Sequence, residues 1–459
     1  MIPKIIHFIY GLKEDFGGKP FGFVHWAAVK TAAKLNKDYK IIFWCKFVPD
    51  NYYFDDIREN VEVKIVEPPT EIFGKKLNHV AHQADILRLN ALIQYGGFYL
   101  DVDTITVKSF DSIRNNKFVM GKEVLNGNTI GLCNAIMASE PQSEFGKIWL
   151  QSYTSFRSTG RDEFWSEHSV KIPYLLAEKI PDSITVLPET AFFYPDYSDA
   201  GLKSMFIDTH SFPDAYAFHL WETLSWGALS RFNENNVHLI KNTYTSLLNS
   251  FIKNDIERIR EKRKNWCTNE FSQKRAKINL GCGSKNDVAL VNFDLFQESG
   301  ADIVFDIQEN NWPIETNSVT YARMHHVLEH IGGDLKYLFQ ELYRVCCDGA
   351  EIDIRVPHPR HDWFLTDPTH VRPLLPESFL YFDREQCLKW FFSGDSKTPL
   401  ALYWDIDFKV KTVNVSVENN EVFGKVSTAF GADKSLPALV PFINNVISEI
   451  HIIMHVSKK

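Results

Sequence analysis

The sequence predicts an α/β protein of two domains, each built on a largely parallel sheet. Three observations carry this expectation. Strand-like runs alternate with helical ones in two successive series, a pattern that places ligands at the carboxyl ends of parallel strands. In each series a hydrophobic strand runs out into chemistry: Phe98-Tyr99-Leu100 into Asp101 and Asp103, and Ile278-Asn279-Leu280 into Gly281-Cys282-Gly283. The chain of 459 residues is also too long for one ordinary domain, and two of about 200 residues is the better expectation.

The first series opens with Ile2 to Tyr10, a short buried strand closed by Gly11. Trp26 to Leu35 reads as a helix, Tyr39 to Trp44 as a second strand and Val61 to Val66 as a third. Ile86 to Ile93 is a helix of good formers with apolar residues on most faces, hence a buried one. Gly96-Gly97 ends it, because glycine accepts a left-handed cap without a Cβ penalty. Asp101 and Asp103 then stand at the strand's exit, with Thr104 to Val107 continuing as a strand. Two carboxylates so placed can converge on a hard divalent cation that shares phosphate oxygens with a substrate. Asp-x-Asp alone is common in solvated turns; here it follows Asp85 and Arg88, which share one face of the helix.

With Asp85-x-x-Arg88 upstream of Gly96-Gly97-Phe98-Tyr99-Leu100-Asp101-Val102-Asp103, the first half of the chain resembles the DXD glycosyltransferases of the GT-A fold. The match is to the retaining group of capsular-polysaccharide and mannosyltransferase-like enzymes and glucosylating bacterial toxins. The resemblance implies a UDP- or GDP-sugar donor and Mn²⁺ or Mg²⁺ held by Asp101 and Asp103. It implies that Phe8, Ile9 and Tyr10 contact the base, that Tyr99 packs near the ribose or base, and that Asp85 binds hydroxyls of the donor sugar. Asn134 to Ser139 resembles the acceptor-side segment. In the run His219-Leu220-Trp221-Glu222-Thr223-Leu224-Ser225-Trp226, His219 is the candidate third metal ligand, with Ser225 and Trp226 beside the phosphates. A core histidine in an aromatic-rich strand is the competing reading of His219. The metal and Arg88 would stabilise charge on the departing diphosphate. Retention comes from the resemblance alone.

Composition narrows the partners. A formal charge of −8 argues against nucleic acid, which demands a basic face. Apolar residues at 44% suffice for two cores. Seven cysteines without a metal-like spacing point to a reducing compartment. No apolar run approaches the length of a bilayer and no signal-peptide pattern opens the sequence. The expectation is a cytoplasmic protein, at most peripheral to a membrane, of open oligomeric state.

Leu247 to about Asn269 places Leu248, Phe251, Ile252, Ile256 and Ile259 at helical spacing, with mixed charges from Glu257 to Lys264. A surface for an anionic membrane or lipid-linked acceptor is one reading. Acids interrupt the bases, so a solvated connecting helix is preferred. The expected division is residues 1–245, a helical linker 246–274, and 275–459.

In the second series, strands at Lys277 to Leu280, Val291 to Asp294, Ile303 to Asp306 and Tyr321 to His326 precede Val327-Leu328-Glu329-His330-Ile331. This order resembles the class I S-adenosylmethionine methyltransferases, whose Rossmann-like fold it implies. On that resemblance Gly281 and Gly283 flank the methionine moiety, Asp294 takes the ribose hydroxyls and Asp306 approaches the adenine amine. A nicotinamide fold would want a third glycine and an acid about 20 residues on; the third glycine is missing, and Asp294 comes too soon. His326-x-x-Glu329-His330 also matches an inverted zincin pattern. It falls where the methyltransferases commonly show His-x-Leu-Glu-His, and the zinc match is read as coincidence. Asp367-Pro368-Thr369-His370-Val371-Arg372 recurs in that family on the acceptor side. His326, His361 and His370 are the candidate bases for a sugar hydroxyl. Trp404 to Val410 and Ile450 to Val456 read as closing antiparallel strands. The short glycine motif and the intrusion of Arg323 at the fourth strand's end are departures from the family.

The combined reading is a bifunctional enzyme that adds a sugar to a polysaccharide or glycolipid and O-methylates a sugar of the same glycan. The alternative is a glycosyltransferase whose second domain is a non-catalytic binding or scaffold module. Toxin-like transfer onto a protein is disfavoured, because no delivery or pore-forming region is present.

Overall fold

The computed structural model describes residues 1–417 and 444–458, with 425 and 428 between them. It forms two compact units, Met1–Lys262 and Arg263–Lys459.

The first unit begins with β1 (Ile5–Ile9), α1 (Phe23–Leu35), β2 (Lys40–Cys45), β3 (Glu62–Ile65), α2 (Val80–Tyr95) and β4 (Gly97–Leu100). The His79 ring caps α2 by accepting the Ala81 N–H at 3.1 Å, and Gly96 closes it with φ +63°. Ile86, Leu89 and Leu92 of α2 pack with Phe118, Met137, Phe145 and Trp149 in one apolar cluster. Each such buried side chain contributes about 1.5–3 kcal/mol. The chain then continues through β5 (Thr104–Thr106), β6 (Phe118–Leu125), β7 (Asn128–Ser139), β8 (Thr185–Leu187) and β9 (Ala217–His219). The main sheet has the order β8-β6-β7-β4-β1-β2-β3, and β9 pairs with β5 outside it.

This sheet is largely parallel, as expected, with one reversed strand. β7 runs antiparallel to both β4 and β6. The cause is local: Asn126 (φ +50°) and Gly127 (φ +80°) make a two-residue hairpin turn between β6 and β7. Positive φ at both central residues matches the twist of the strands and suits Asn-Gly.

The second unit takes up the C-terminal part of α4 (Thr243–Ser272), whose backbone breaks from helical geometry at Ile252. There follow β10 (Ala276–Leu280), β11 (Val291–Asp294), β12 (Ile303–Val304), β13 (Val319–His325), α5 (Leu335–Val345), β14 (Cys346–Pro357), β15 (Phe408–Val417) and β16 (Ile447–Val456). The sheet order is β12-β11-β10-β13-β14-β16-β15. The first five strands are parallel, and β16 is antiparallel to both of its neighbours. The order reverses between β10 and β13, the switch point at which such sheets open a crevice. α5 buries Leu335, Leu338, Phe339, Leu342 and Val345 at helical spacing. Trp404, expected on a strand, instead ends a short helix, and Asp405 at φ +55° turns the chain toward β15. No helix among the described residues is long and apolar enough to cross a membrane.

Candidate functional site

In the first unit the Gly96-Gly97 corner aims the acids. A Cβ on Gly97 (φ +102°) would meet the Ile5 carbonyl oxygen at 2.5 Å, so only glycine lets β4 lie this close to β1. The Asp101 N–H donates to the Ala135 carbonyl (2.8 Å) and the Leu220 N–H to the Asp103 carbonyl (2.9 Å). These two bonds fix the turn between β7 and the strand that carries His219.

Asp101, Asp103 and His219 converge, with ligand atoms within 4.8 Å of one another. His219 Nε2 stands 3.3 Å from Asp103 Oδ2, which also accepts the Glu222 N–H at 2.7 Å. His219 Nδ1 is buried and has no hydrogen-bond partner. The three residues line a cavity of about 310 Å³ with Trp221, Glu222, Thr223 and Leu224. Burial opposes ionisation of Asp103, yet His219 and the Glu222 N–H hold its carboxyl down to about 2. Burial would discharge His219, but Asp103 and Asp101 raise its pKa above the ordinary imidazole value. Asp101 is pushed upward by burial, with Arg88 opposing and Asp103 reinforcing. Two carboxylates with an imidazole form a donor set that fits a divalent cation.

Arg88 and Asp85 lie directly behind the acids, both 6% exposed. Arg88 Nη2 is 3.4 Å from Asp101 Oδ1, and Nη1 donates to the Asn134 carbonyl at 3.0 Å. Asn134 Nδ2 donates to Asp85 Oδ1 at 2.7 Å. The Arg88 guanidinium also lies over the Tyr99 ring, 4.5 Å from its centroid.

Other expected contacts fall differently. Tyr99 is buried and its hydroxyl donates to Asp101 Oδ1 at 2.5 Å, so it serves the acid. Phe8 and Ile9 are core residues. Tyr10 donates its hydroxyl to the Lys19 carbonyl and its ring stacks on Phe16. Ser225 turns inward and donates to the Leu220 carbonyl at 2.6 Å, so its hydroxyl is taken up by the backbone. The reason is Trp221, which at φ +56° swings the chain into α3 (Glu222–Leu229) and presents Glu222 rather than Ser225 to the cavity. Trp226 lies near His25, its ring 5.0 Å from Lys19 Nζ. Glu222, missed in the sequence, binds His25 Nε2 (2.8 Å) and Lys19 Nζ (3.0 Å). Its place two residues past His-Leu was the available signal.

In the second unit a cavity of about 490 Å³ opens at the switch point. It is lined by Gly281, Gly283, Asp294 and Asp306, the half-exposed Leu295 and Phe296, and His326, His330 and Thr369. Asp294 Oδ2 accepts the Gly283 N–H at 2.7 Å and Oδ1 accepts the Phe296 N–H at 3.0 Å, tying the glycine turn to the strand end. A Cβ on Gly283 would meet nothing within 4 Å, so its backbone faces open space. Acid, bare glycine backbone and apolar walls fit an adenosyl ligand. Arg323 does not line the cavity; it pairs with Asp287 at 2.9 Å. His326 lies between Glu449 (3.0 Å) and Glu329 (3.4 Å). His361 is buried, and its Nδ1 caps a helix by accepting the Trp363 N–H. His370 packs on His330 with ring centroids 4.7 Å apart.

An α/β unit that ends a strand in Asp-x-Asp beside a buried Arg and an unpaired imidazole nitrogen fits a glycosyltransferase. The family match and the curated relatives agree. Residues 24–119 match the glycosyltransferase sugar-binding region containing the DXD motif. Glucan organizing enzyme 1 of Cryptococcus neoformans var. grubii is 33% identical, over 55% of this chain and 71% of that protein. Inositol phosphoceramide mannosyltransferase 2 of Schizosaccharomyces pombe is 25% identical over 38% of this chain, and the match spans about half (49%) of that protein. Among solved structures, PaToxG glycosyltransferase is 20% identical with a TM-score of 0.29, over 39% of this chain and 70% of that one. A SAM dependent methyltransferase from Archaeoglobus fulgidus is 16% identical with a TM-score of 0.24, over 43% and 93%. The chain belongs to the DXD glycosyltransferase family.

Proposed function

We propose that the first unit transfers a hexose, with retention, from a UDP- or GDP-sugar to a polysaccharide or glycolipid, and that the second O-methylates a sugar of the same glycan. The observation that carries the first half is the convergence of Asp101, Asp103 and His219 around a buried imidazole nitrogen with no partner. Mn²⁺ or Mg²⁺ bound there supplies charge to the leaving diphosphate; the carboxylates suit either ion and the imidazole favours Mn²⁺. Arg88, buried and charged beside Asp101, adds fixed positive charge that costs no reorganisation as the diphosphate leaves. Asp85, held by Asn134, orients a donor hydroxyl. The name of the mannosyltransferase relative supports a hexosyl donor.

For the second half, the cavity at the switch point supports binding of S-adenosylmethionine, which supplies an electrophilic methyl group. Asp294 would accept its ribose hydroxyls through the lone pairs its backbone bonds leave free, and Asp306 would meet the adenine amine. The bare backbone at Gly283 leaves room for the methionine, while Gly281 lets the turn pack against Val327. The sugar-transfer reading is tested by nucleotide-sugar hydrolysis with Mn²⁺: wild type cleaves donor, and chelation or Asp103→Asn abolishes cleavage. Hydrolysis unchanged by either would overturn it.

A further inference from the structure

The second unit brings together three side chains to which the proposed function assigns no step. Glu329, His330 and His370 place ligand atoms within 4.8 Å of one another. Glu329 and His330 sit in a single turn after β13, whereas His370 lies far along the chain. The meeting is enforced by backbone. The Val371 and Arg372 N–H groups both donate to the Glu329 carbonyl, at 2.8 and 3.1 Å. Arg372 Nε donates to the Ile331 carbonyl at 3.0 Å, which straps the same loop down.

Hydrogen bonding also sets the form of each ligand. The single hydrogen of the Thr369 hydroxyl goes to Asp367 Oδ1 at 2.6 Å. The same oxygen, 2.8 Å from His330 Nδ1, must therefore accept from the ring. His370 Nδ1 lies 3.0 Å from the Phe364 carbonyl, which can only accept. Both rings thus carry hydrogen on Nδ1, which leaves Nε2 as the nitrogen that can offer a lone pair to a metal when a second group holds the far one. Asp367 Oδ2, at 3.7 Å, is beyond hydrogen-bond reach of His370 Nε2. The third member is a carboxylate: Glu329 is 1% exposed, and neither of its oxygens accepts a hydrogen bond. Its ion-pair contact is His326 Nδ1, 3.4 Å from Oε1, which leaves Oε2 open. A buried carboxylate oxygen left without a donor, as Oε2 is, is costly unless a cation meets it.

We propose that Glu329, His330 and His370 bind a first-row divalent transition metal, with zinc the expected ion. Two neutral imidazoles and one carboxylate are the donor set of zinc sites that keep a position open. His330 and Thr369 line the cavity that also holds Gly281 and Asp294, so the open position borders that cavity. The set shares Glu329 and His330 with the zincin-like spacing of the sequence, which is read there as coincidence. His326 is turned toward Glu449, and His370 takes its place. The metal site stands without any assumption about methyl transfer.

The test uses the whole 459-residue chain carrying Asp103→Asn, which breaks the first unit's acid pair and so limits its competition for metal. The metal-stripped protein is titrated with CoCl₂ and followed by visible absorption, then with ZnCl₂ by calorimetry. One equivalent with the d–d bands of a nitrogen-ligated ion is expected, lost in His330→Ala and in Glu329→Gln. Thr369→Val, which releases the His330 tautomer, should weaken zinc by about 10–100-fold. His330 is exposed, so His330→Ala keeps its melting temperature and decides the matter if Glu329→Gln fails to fold. Absence of the bands in the parent, or bands undiminished in His330→Ala, would overturn the site. A parent that takes up metal but no S-adenosylmethionine supports the site and removes only the methyl-transfer reading.

Discussion

Asp103 Oδ2 accepts the Glu222 N–H at 2.7 Å, so the acid that faces the sugar-transfer cavity also caps the first turn of α3. The two tasks separate by substitution. Asn keeps an acceptor oxygen for the cap but loses the charge, whereas Ala loses both. Asp103→Asn is expected to melt close to wild type and to lose at least about 100-fold in metal-dependent donor hydrolysis. Asp103→Ala should lose the same activity and a further ~1 kcal/mol of stability, the usual value of a cap. Thermal melts beside hydrolysis assays check both.

Arg88 stabilises through shape as well as charge. Its Nη1 reaches Asn134 while Nη2 faces Asp101, and a lysine cannot span both. Arg88→Lys is expected to lower kcat by about 10²-fold or more while the KM for donor changes little, since the interaction grows as the diphosphate departs. A raised KM with kcat intact would assign Arg88 to ground-state binding instead.

The parts of this site legible in the sequence were those set by neighbouring residues. Gly96-Gly97 followed by an apolar strand was enough to aim Asp101 and Asp103. Asp85 and Arg88 were visible as one helix face, but Asn134, which links them, comes from β7. The antiparallel course of β7 was written in Asn126-Gly127, and the alternation of strands and helices masked it. Ser225 was misplaced because the left-handed residue that redirects the chain is a tryptophan, a residue type that does not advertise positive φ. The pairing of Glu329 with His370 depends on a loop strapped down by backbone bonds, which no local pattern records.

Gly97 offers a clean test of the corner. Alanine there would force a Cβ to 2.5 Å from the Ile5 carbonyl oxygen at a φ of +102°. The expected cost is at least about 2 kcal/mol, from strain and displaced β1 pairing. The melting transition of the first unit should fall by about 4 °C or more. Because the corner aims the acids, the loss of Mn²⁺ affinity should exceed what the change in stability explains.

Asp56 makes the first unit's stability pH-dependent. Its buried carboxylate accepts from Trp26 Nε1 (3.0 Å), Arg258 Nη2 (3.0 Å) and Lys262 Nζ (2.6 Å). Burial alone would raise its pKa, but Arg258 and Lys262 hold it well below the carboxylate range. A depressed folded value gives stability that is complete above the unfolded pKa, about 4, and is lost as pH falls through the folded one. Wild type should therefore lose stability steeply in that acid window, and Asp56→Asn should lack this part of the slope. Its loss at neutral pH should stay below the 3–5 kcal/mol of a fully buried pair, since Arg258 and Lys262 are half exposed. Denaturant melts from pH 7 to pH 3 measure both.

Asp294 decides whether the second unit is a methyltransferase. Its two oxygens already hold the Gly283 and Phe296 N–H groups, so any ligand must use the remaining lone pairs. Asp294→Ala therefore removes a ligand contact and loosens the glycine turn together. Wild type should bind S-adenosylmethionine in a calorimetric titration, and Asp294→Ala about 10–100-fold more weakly, the value of charged hydrogen bonds lost. Asp306→Ala, whose oxygen accepts only the local Gln308 N–H, should weaken binding without disturbing the turn. A graded loss across the two variants, with unchanged melting of Asp306→Ala, follows from direct contact with the cofactor. No heat from wild type would leave the unit a binding or scaffold module, and the cavity at its switch point would need another ligand.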